Sequence, residues 1–301
     1  MAVDEGSHLS WGGPRAALVA DGRLHLQHGP IDLIIEAWGE REGVAAAYRQ
    51  AIFRFDDILE TLVRELSLLR TPLREAYPLL RGPVAQRMHA ACWPHRAVYI
   101  TPMAAVAGSV ADEMIEVMVR GRDLTKAYVN NGGDIALHLA PGASLTLGVV
   151  NNVENPAIDA KVWLDAAMPV RGLATSGWRG RSQSLGIADA VTVFAADAAS
   201  ADAAATMIAN AVNVEHEAIS RVPARSLRTD SDLRDLPVTV AVGALPATVR
   251  VEALASGCER ALELQHRGLI YAAYLALQGE VRAVLPAGML IEQGACRTAG
   301  G

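Results

Sequence analysis

Two glycine-containing turns, each between short apolar runs, constrain the fold of this chain most. Asp21-Gly22 separates AALVA from RLHLQH, and NNGGD at 130–134 separates KAYV from IALHLA. Such turns reverse the chain between neighbouring strands, because glycine adopts the positive φ that tight hairpins require. We therefore predict two hairpins, and a third strand, IDLIIEAW at 31–38, joins the first of them.

Elsewhere, helices and strands follow one another in no regular order. Apolar residues recur at helical spacing from Val44 to Leu69, where Pro72 ends the pattern. The absence of a βαβα alternation favours the α+β class, with mixed or antiparallel sheets and packed helices in a single domain. Further helices are predicted after Pro83, after Gly108, over SADAAATMIANAV at 200–212 and over VEALASGCERALELQ; further strands are predicted at 97–100, SLTLGVV, 190–195 and 238–243.

The composition narrows the range of partners. Hydrophobic residues make up 51% of the 301 residues, enough to bury a large core. The chain has 33 acidic against 27 basic residues and only 5% aromatic residues, whereas nucleic-acid binding needs a basic surface and stacking side chains. The most apolar region, 186–214, is interrupted by aspartates, so it is not a membrane span. We therefore expect a small-molecule ligand, with no nucleic acid and no membrane partner.

The N-terminus and the cysteines indicate the cytoplasm. Asp4 and Glu5 lie where a signal peptide needs positive charge. Cys92, Cys258 and Cys296 are an odd number with no paired spacing, which is typical of a reducing compartment. We therefore expect a cytoplasmic protein.

Two glycine-containing segments are candidate ligand-binding loops. In NNGGD, paired glycines let a ligand approach the main chain closely, although a plain hairpin turn explains the same residues. In ATSGWRGRS at 174–182, hydroxyls and two arginines suit an anionic group such as a diphosphate, although a solvated loop is the alternative. The candidate binding residues are Asn130, Asn131, Gly132, Gly133, Asp134, Thr175, Ser176, Gly177, Arg179 and Arg181.

Asp202 and Thr206 form the third candidate. They lie four residues apart in the alanine-rich helix, so their oxygens share one face, one turn from each other. Carboxylate and hydroxyl oxygens are hard ligands that suit Mg²⁺. Alternatively, Asp202 lies in the first helical turn, where its charge complements the helix dipole after an N-cap at Ser200.

Two other chemistries have little support. His89, Cys92 and His95 in HAACWPH have a spacing that could suggest zinc, but Pro94 breaks the helix that would align them and no fourth ligand lies nearby. A serine hydrolase is also disfavoured, because no G-x-S-x-G motif occurs.

The three candidates occur in the order seen in a known family. VAGSVAD at 106–112, YVNNGGDI at 128–135, and RGLATSG followed by AVTVFAADAASADAAAT resemble segments of the ApbE superfamily. Its best-known members are Mg²⁺-dependent transferases that move FMN from FAD onto a threonine of a target protein. The resemblance implies that Asp202, Thr206 and a main-chain carbonyl at about Val106 bind Mg²⁺, and that a flavin nucleotide lies against the NNGGD turn.

Other segments define the extent of the resemblance. GPIDLIIEA, ITPMAAVAG, NNGGDIALHL and TSGWRGRS make the chain more similar to a compact, uncharacterised cytoplasmic branch of the superfamily. This implies an ApbE-like domain over residues 29–285, preceded by a hairpin region at 1–28 and followed by a tail at 286–301.

The chain also departs from the transferases. Ala107 stands where they carry a lysine, SQSLGIAD replaces a histidine-containing segment, and their lipoprotein leader is not expected here. Asp189 is the carboxylate best placed to act as the catalytic group, although it could equally cap a strand.

The resemblance therefore implies a protein that binds Mg²⁺ and FAD or a related phosphate-bearing heterocycle, with FMN transfer to an unidentified protein acceptor as its reaction. The alternatives are a non-catalytic flavin- or nucleotide-binding protein and a structural, oligomeric protein. We also expect the chain to form a homo-oligomer.

Overall fold

The computed structural model describes residues 12–74, 78–149, 160–287 and 291–293. The described residues form fourteen strands: β1 (Arg15–Leu18), β2 (Leu24–His28), β3 (Ile31–Gly39), β4 (Leu124–Asn131), β5 (Asp134–Leu139), β6 (Ser144–Val149), β7 (Ala160–Asp165), β8 (Gly172–Ser176), β9 (Ala190–Ala195), β10 (Ile219–Pro223), β11 (Pro237–Val242), β12 (Ala272–Leu277), β13 (Glu280–Val284) and β14 (Ile291–Gln293). Their α-helices are α1 (Arg41–Phe55), α2 (Ile58–Arg64), α3 (Leu66–Leu69), α4 (Pro83–Cys92), α5 (Val106–Val119), α6 (Ala198–Ala211), α7 (Ala224–Leu227) and α8 (Ala247–His266).

Nine of these strands form one large antiparallel sheet. Their order is β1-β2-β3-β4-β5-β8-β9-β12-β13. A three-stranded sheet has the order β14-β7-β6, and β10 pairs with β11 in a hairpin. Every described pairing is antiparallel, so the α+β class is confirmed.

Two hydrophobic clusters pack on one face of the large sheet, and a third cluster packs on the other face. Leu33, Ile35 and Val129 pack with α1 and α5, and the middle strands β8, β9 and β12 pack with α6 and α8. On the opposite face, Leu137 and Phe194 pack with residues of the three-stranded sheet. Alternate residues of a strand point to opposite faces, which is why both layers draw on the same strands. The helices that carry the candidate site therefore lie together on one face.

Both predicted hairpins are confirmed. Leu18 pairs with Leu24 across the Asp21-Gly22 turn, where Gly22 has a φ of +86°. Asn131 pairs with Asp134, so Gly132 and Gly133 form a two-residue turn. The predicted third strand is β3. It pairs with β2, so the strand pairing crosses the predicted boundary between the hairpin region at 1–28 and the domain that starts at residue 29.

Two predictions of local structure are wrong. The long helix from Val44 to Leu69 breaks after Phe55, because α2 starts at Ile58 and turns its own apolar residues into the core. Residues 97–100 form a turn instead of a strand, with Val98 left 47% exposed. This segment lies between Pro94 and Pro102 and follows a 3₁₀ turn at Trp93–His95. Its apolar residues alone do not indicate that turn.

For other predictions the boundaries differ, or the residues concerned are not all described. Helix α6 starts at Ala198, and its N-cap is Asp197, whose side chain accepts a bond from the Ser200 amide; the alternative N-cap at Ser200 is therefore wrong. No helix in the described ranges is long and apolar enough to cross a bilayer. Within the tail predicted at 286–301, Ile291–Gln293 form β14 and pair with β7, whereas Cys296 lies outside the described residues.

Candidate functional site

Three distant segments meet at the start of α5. The side-chain amide of Asn131, at the end of β4, donates to the carbonyl oxygen of Ala107 over 3.1 Å. Oδ2 of Asp202, in the second turn of α6, accepts from the Gly108 amide over 3.0 Å, and the Ala107 amide also bonds to this carboxylate. The structure thus joins three segments in which sequence analysis placed candidate residues.

The NNGGD turn holds its shape through its own side chains. The Gly133 amide donates to Oδ1 of Asn130 over 2.8 Å, and Gly132 has a φ of +66°. A Cβ added to Gly132 would lie 2.0 Å from Nη2 of Arg181. The turn is therefore a hairpin against which Arg181 packs, and its role in ligand binding stays a prediction.

Asp134 and Asp202 bring two carboxylates together. Burial raises the pKa of Asp134 to about 7, although the Thr175 amide, 3.2 Å from Oδ1, and the charge of Arg181 favour its ionised form. Burial, and then the charge of Asp134, raise the pKa of Asp202 well above its ordinary value. Two carboxylates that repel each other are stabilised by a cation between them. This pair is therefore the best candidate cation site in the described structure.

The neighbouring oxygens fit a hard divalent cation. Thr206 lies one turn after Asp202 on the same helix and is partly exposed, and within the described ranges its hydroxyl makes no hydrogen bond. Val106, whose carbonyl was the third predicted ligand, is the first residue of α5. The described residues contain no group of three or more His, Cys, Asp or Glu side chains suited to a metal. Mg²⁺ needs only one or two carboxylates and takes its other ligands from water and phosphates, so the donor set fits it.

The two arginines of the 174–182 loop point to different partners. Arg181 lies beside Asp134 and Gly132. Nε of Arg179 instead donates to Oδ1 of Asp189 over 2.9 Å, and its guanidinium stacks 4.6 Å above the Trp178 ring. Arg181 therefore lies next to Asp134, and Arg179 bonds Asp189.

The other predicted residues of this loop, Thr175, Ser176 and Gly177, lie at the end of β8 and directly after it. The hydroxyl of Thr175 bonds that of Thr192 over 2.8 Å, and Ser176 ends the strand. A Cβ on Gly177 would lie 2.3 Å from the carbonyl oxygen of Asp189, so only glycine fits here. The tight contact explains the glycine without any ligand.

Asp189 uses both carboxylate oxygens within the protein. Oδ1 accepts from Arg179 and from Nε1 of Trp178, and Oδ2 accepts from the Gln278 amide. These bonds join the loop after β8 to the turn between β12 and β13. Its catalytic role stays a prediction, and a structural role accounts for its contacts.

Two further residues contribute to this region and were not among the predicted site residues. Asp112, in the quoted VAGSVAD segment, accepts from the amides of Ala198 and Ala199 at the start of α6. Asp232 accepts from the hydroxyl of Thr101, just before the 3₁₀ turn that leads into α5. Both bonds join residues more than 80 positions apart, so no local pattern signals them.

Cation binding here is expected to strengthen as the pH rises through about 7. The raised pKa values of Asp134 and Asp202 mean that protons occupy the pair at lower pH and compete with a cation. A group with a pKa near 7 becomes about tenfold more ionised between pH 6 and pH 8, so the affinity should rise about tenfold or more. Calorimetric titration with Mn²⁺ at both pH values measures this, and equal affinities would contradict it.

Comparisons with known proteins place the chain in a family. UPF0280 proteins from Methanosarcina acetivorans and Methanothermobacter thermautotrophicus are each 37% identical to it, over 121 and 133 residues, which are 40% and 44% of this chain. These alignments span 46% and 50% of the two proteins, so the chain spans about half the length of the curated relatives it matches.

The chain is also similar to solved structures of ApbE proteins. An ApbE protein from Thermotoga maritima matches with 14% identity and a TM-score of 0.37, covering 82% of this chain and 76% of that one. The apo flavinyl transferase ApbE of Pseudomonas stutzeri matches with 12% identity and a TM-score of 0.41, covering 92% and 95%. The family model described as AbpE bacteria matches residues 15–283. The chain therefore belongs to this family, within the ApbE superfamily.

Proposed function

We propose that this protein binds FAD or a related flavin nucleotide together with Mg²⁺, and that it transfers FMN from FAD to a hydroxyl of a protein acceptor. The hydroxyl oxygen bonds the FMN phosphorus, the bond between the two phosphates breaks, and AMP leaves while the hydroxyl proton is released. One observation carries the proposal: the NNGGD turn and Asp202 meet at the start of α5. Asn131 donates to the Ala107 carbonyl there, Asp202 accepts from the Gly108 amide, and Arg181 lies against Gly132. Membership of the ApbE superfamily supports the flavin as ligand.

The charges of the site suit a diphosphate. Two ionised carboxylates would balance one Mg²⁺, which leaves Arg181 to attract the negative charge of the ligand. The exposed Gly132 beside it lets a nucleotide approach the main chain. A bound Mg²⁺ would neutralise charge that develops on phosphate oxygens during transfer.

The residues of this chain have distinct roles in the proposal. Asp134, Asp202, Thr206 and the Val106 carbonyl would hold the cation. Asn131 holds the start of α5 in place through the Ala107 carbonyl. The flavin nucleotide would lie along the NNGGD turn and the end of β8 at Thr175, Ser176 and Gly177.

A second candidate is a binding protein without transferase activity. The bonds of Asp189 favour it, because a carboxylate that already accepts three hydrogen bonds is poorly placed to take a proton from an acceptor hydroxyl. In this case the protein holds the same ligand and cation, and no flavin reaches another protein. Cytoplasmic location and homo-oligomer formation remain further proposals.

Calorimetry with FAD, FMN, ADP and riboflavin, each with and without Mg²⁺, tests ligand binding. We expect FAD to bind tightly only with Mg²⁺, and riboflavin, which has no phosphate, to bind at least about tenfold more weakly. Absence of heat with all four ligands would rule out the flavin proposal.

Incubation of the FAD complex with candidate acceptor proteins separates the two functions. Covalent flavin fluorescence on a denatured acceptor supports transfer. Tight binding with no covalent flavin on any acceptor favours the binding protein.

A further inference from the structure

Helices α5 and α6 cap each other. Oδ1 and Oδ2 of Asp112, on α5, accept from the amides of Ala198 and Ala199 over 2.9 and 2.8 Å at the start of α6. Asp202, on α6, accepts from the amides of Ala107 and Gly108 at the start of α5. Each aspartate lies four residues after the point where the two helices meet, Gly108 on one and Ala198 on the other. The two pairs of bonds are therefore reciprocal.

The contact between the two helices is tight. A Cβ on Gly108 would lie 2.2 Å from the carbonyl oxygen of Ala198, and one on Gly172 would lie 2.0 Å from the carbonyl carbon of Asp197. The start of α6 therefore packs directly on the main chain of α5 and β8. A small shift of α6 along α5 would move Asp202 by the same amount.

The first amides of α6 are satisfied by two different aspartates. Asp112 takes the first two, and Asp197 takes that of Ser200 through its side chain, over 2.7 Å, and that of Ala201 through its carbonyl. Asp197 belongs to the same chain segment as α6 and cannot fix its position relative to α5. Asp112 is 4% exposed and joins the first two amides of α6 to α5.

We propose that Asp112 is a positioning residue for Asp202. By holding the start of α6 against α5, it places the Asp202 carboxylate over the Ala107 and Gly108 amides and next to Asp134. The cation part of this inference rests on the proposed function. The placement of Asp202 itself does not, because it can be measured without any ligand.

Asp112→Asn tests the inference. The amide keeps one acceptor but turns an N–H donor toward an α6 amide, so that one bond is lost and two donors face each other. We expect Mg²⁺ affinity, measured by calorimetry, to fall about 10- to 100-fold, as when a group that orients a metal ligand is removed. We also expect hydrogen exchange at Ala107 and Gly108 to speed up by more than that at Val193 in the core.

Asp165→Ala is the control for a general loss of stability. Oδ1 of Asp165 accepts from two amides, those of Ala167 and Met168, in the turn after β7, and alanine removes this acceptor. It should lower the melting temperature without changing Mg²⁺ affinity or exchange at Ala107 and Gly108. This control separates a general loss of stability from a loss of position.

The results of these experiments distinguish a failure of the positioning role of Asp112 from a failure of the proposed function. A lower melting temperature for Asp112→Asn, with unchanged exchange at Ala107 and Gly108, would overturn the positioning role. If the wild type binds no Mg²⁺, the proposed function fails, and the exchange data still decide whether Asp112 positions Asp202. Should Asp112→Asn not fold, Asp112→Glu replaces it: both acceptors remain, and the extra methylene should displace α6 and give the same two changes.

Discussion

Asp202→Asn is expected to weaken Mg²⁺ binding by about 100-fold or more. Unit charges 4 Å apart attract each other by about 4 kcal/mol at an effective dielectric constant of 20, and this variant removes one of the two negative charges of the pair. Calorimetric titration with Mg²⁺ at pH 8, above the raised pKa of about 7 of Asp134, measures the loss. Binding of FAD should fall in parallel, because the proposed site holds the nucleotide through the cation.

The stability of the same variant should change little. Asparagine retains one acceptor for the amides of Ala107 and Gly108, and loss of the other costs about 1 kcal/mol. Removal of the repulsion between Asp134 and Asp202 offsets part of this cost. A thermal melt close to that of the wild type, together with lost Mg²⁺ affinity, therefore identifies a ligand.

Asp230→Asn provides the control for charge. Asp230 pairs with Arg70 at the surface, 2.8 Å apart, so its substitution removes a carboxylate without touching the pair. It should leave Mg²⁺ affinity unchanged. Full Mg²⁺ affinity in Asp202→Asn would show that Asp202 serves only to cap α5.

The sequence predicted the parts of the site that depend on local spacing. Asp202 and Thr206 lie on one face of α6 because four residues make about one helical turn, and the NNGGD turn follows from the positive φ that its glycines adopt. The antiparallel sheet follows from such turns, because they leave little choice of strand direction.

Contacts between distant segments could not be predicted in this way. Asp134 was a candidate for ligand binding, but its place beside Asp202 depends on how β5 and α6 pack. Arg179 and Arg181 look equivalent in sequence, yet one bonds Asp189 and the other lies against Gly132. Asp112 accepts a bond from the Ala198 amide, 86 residues further along the chain, and this contact depends on how α5 and α6 pack.

Gly108→Ala is expected to destabilise the fold and to weaken Mg²⁺ binding. The new Cβ would lie 2.2 Å from the Ala198 carbonyl oxygen, which belongs to the main chain and cannot rotate away as a side chain would. Helices α5 and α6 must therefore separate, at a cost of about 1–3 kcal/mol, although alanine is the better helix former. The separation should stretch the bonds of both Asp112 and Asp202, so thermal melts and Mg²⁺ titrations should both report it.

Gly43→Ala shows what the same substitution does without the contact. Gly43 lies in α1, where an added Cβ would lie 3.8 Å from its nearest neighbour, the Asp123 carbonyl oxygen. Helix propensity then acts alone and should raise the free energy of unfolding by up to about 1 kcal/mol. If Gly108→Ala lowers the free energy of unfolding and Gly43→Ala raises it, the loss at Gly108 comes from the contact between α5 and α6. If both variants stabilise the protein and keep Mg²⁺ affinity, α5 and α6 adapt freely at this point and the site does not depend on their close approach.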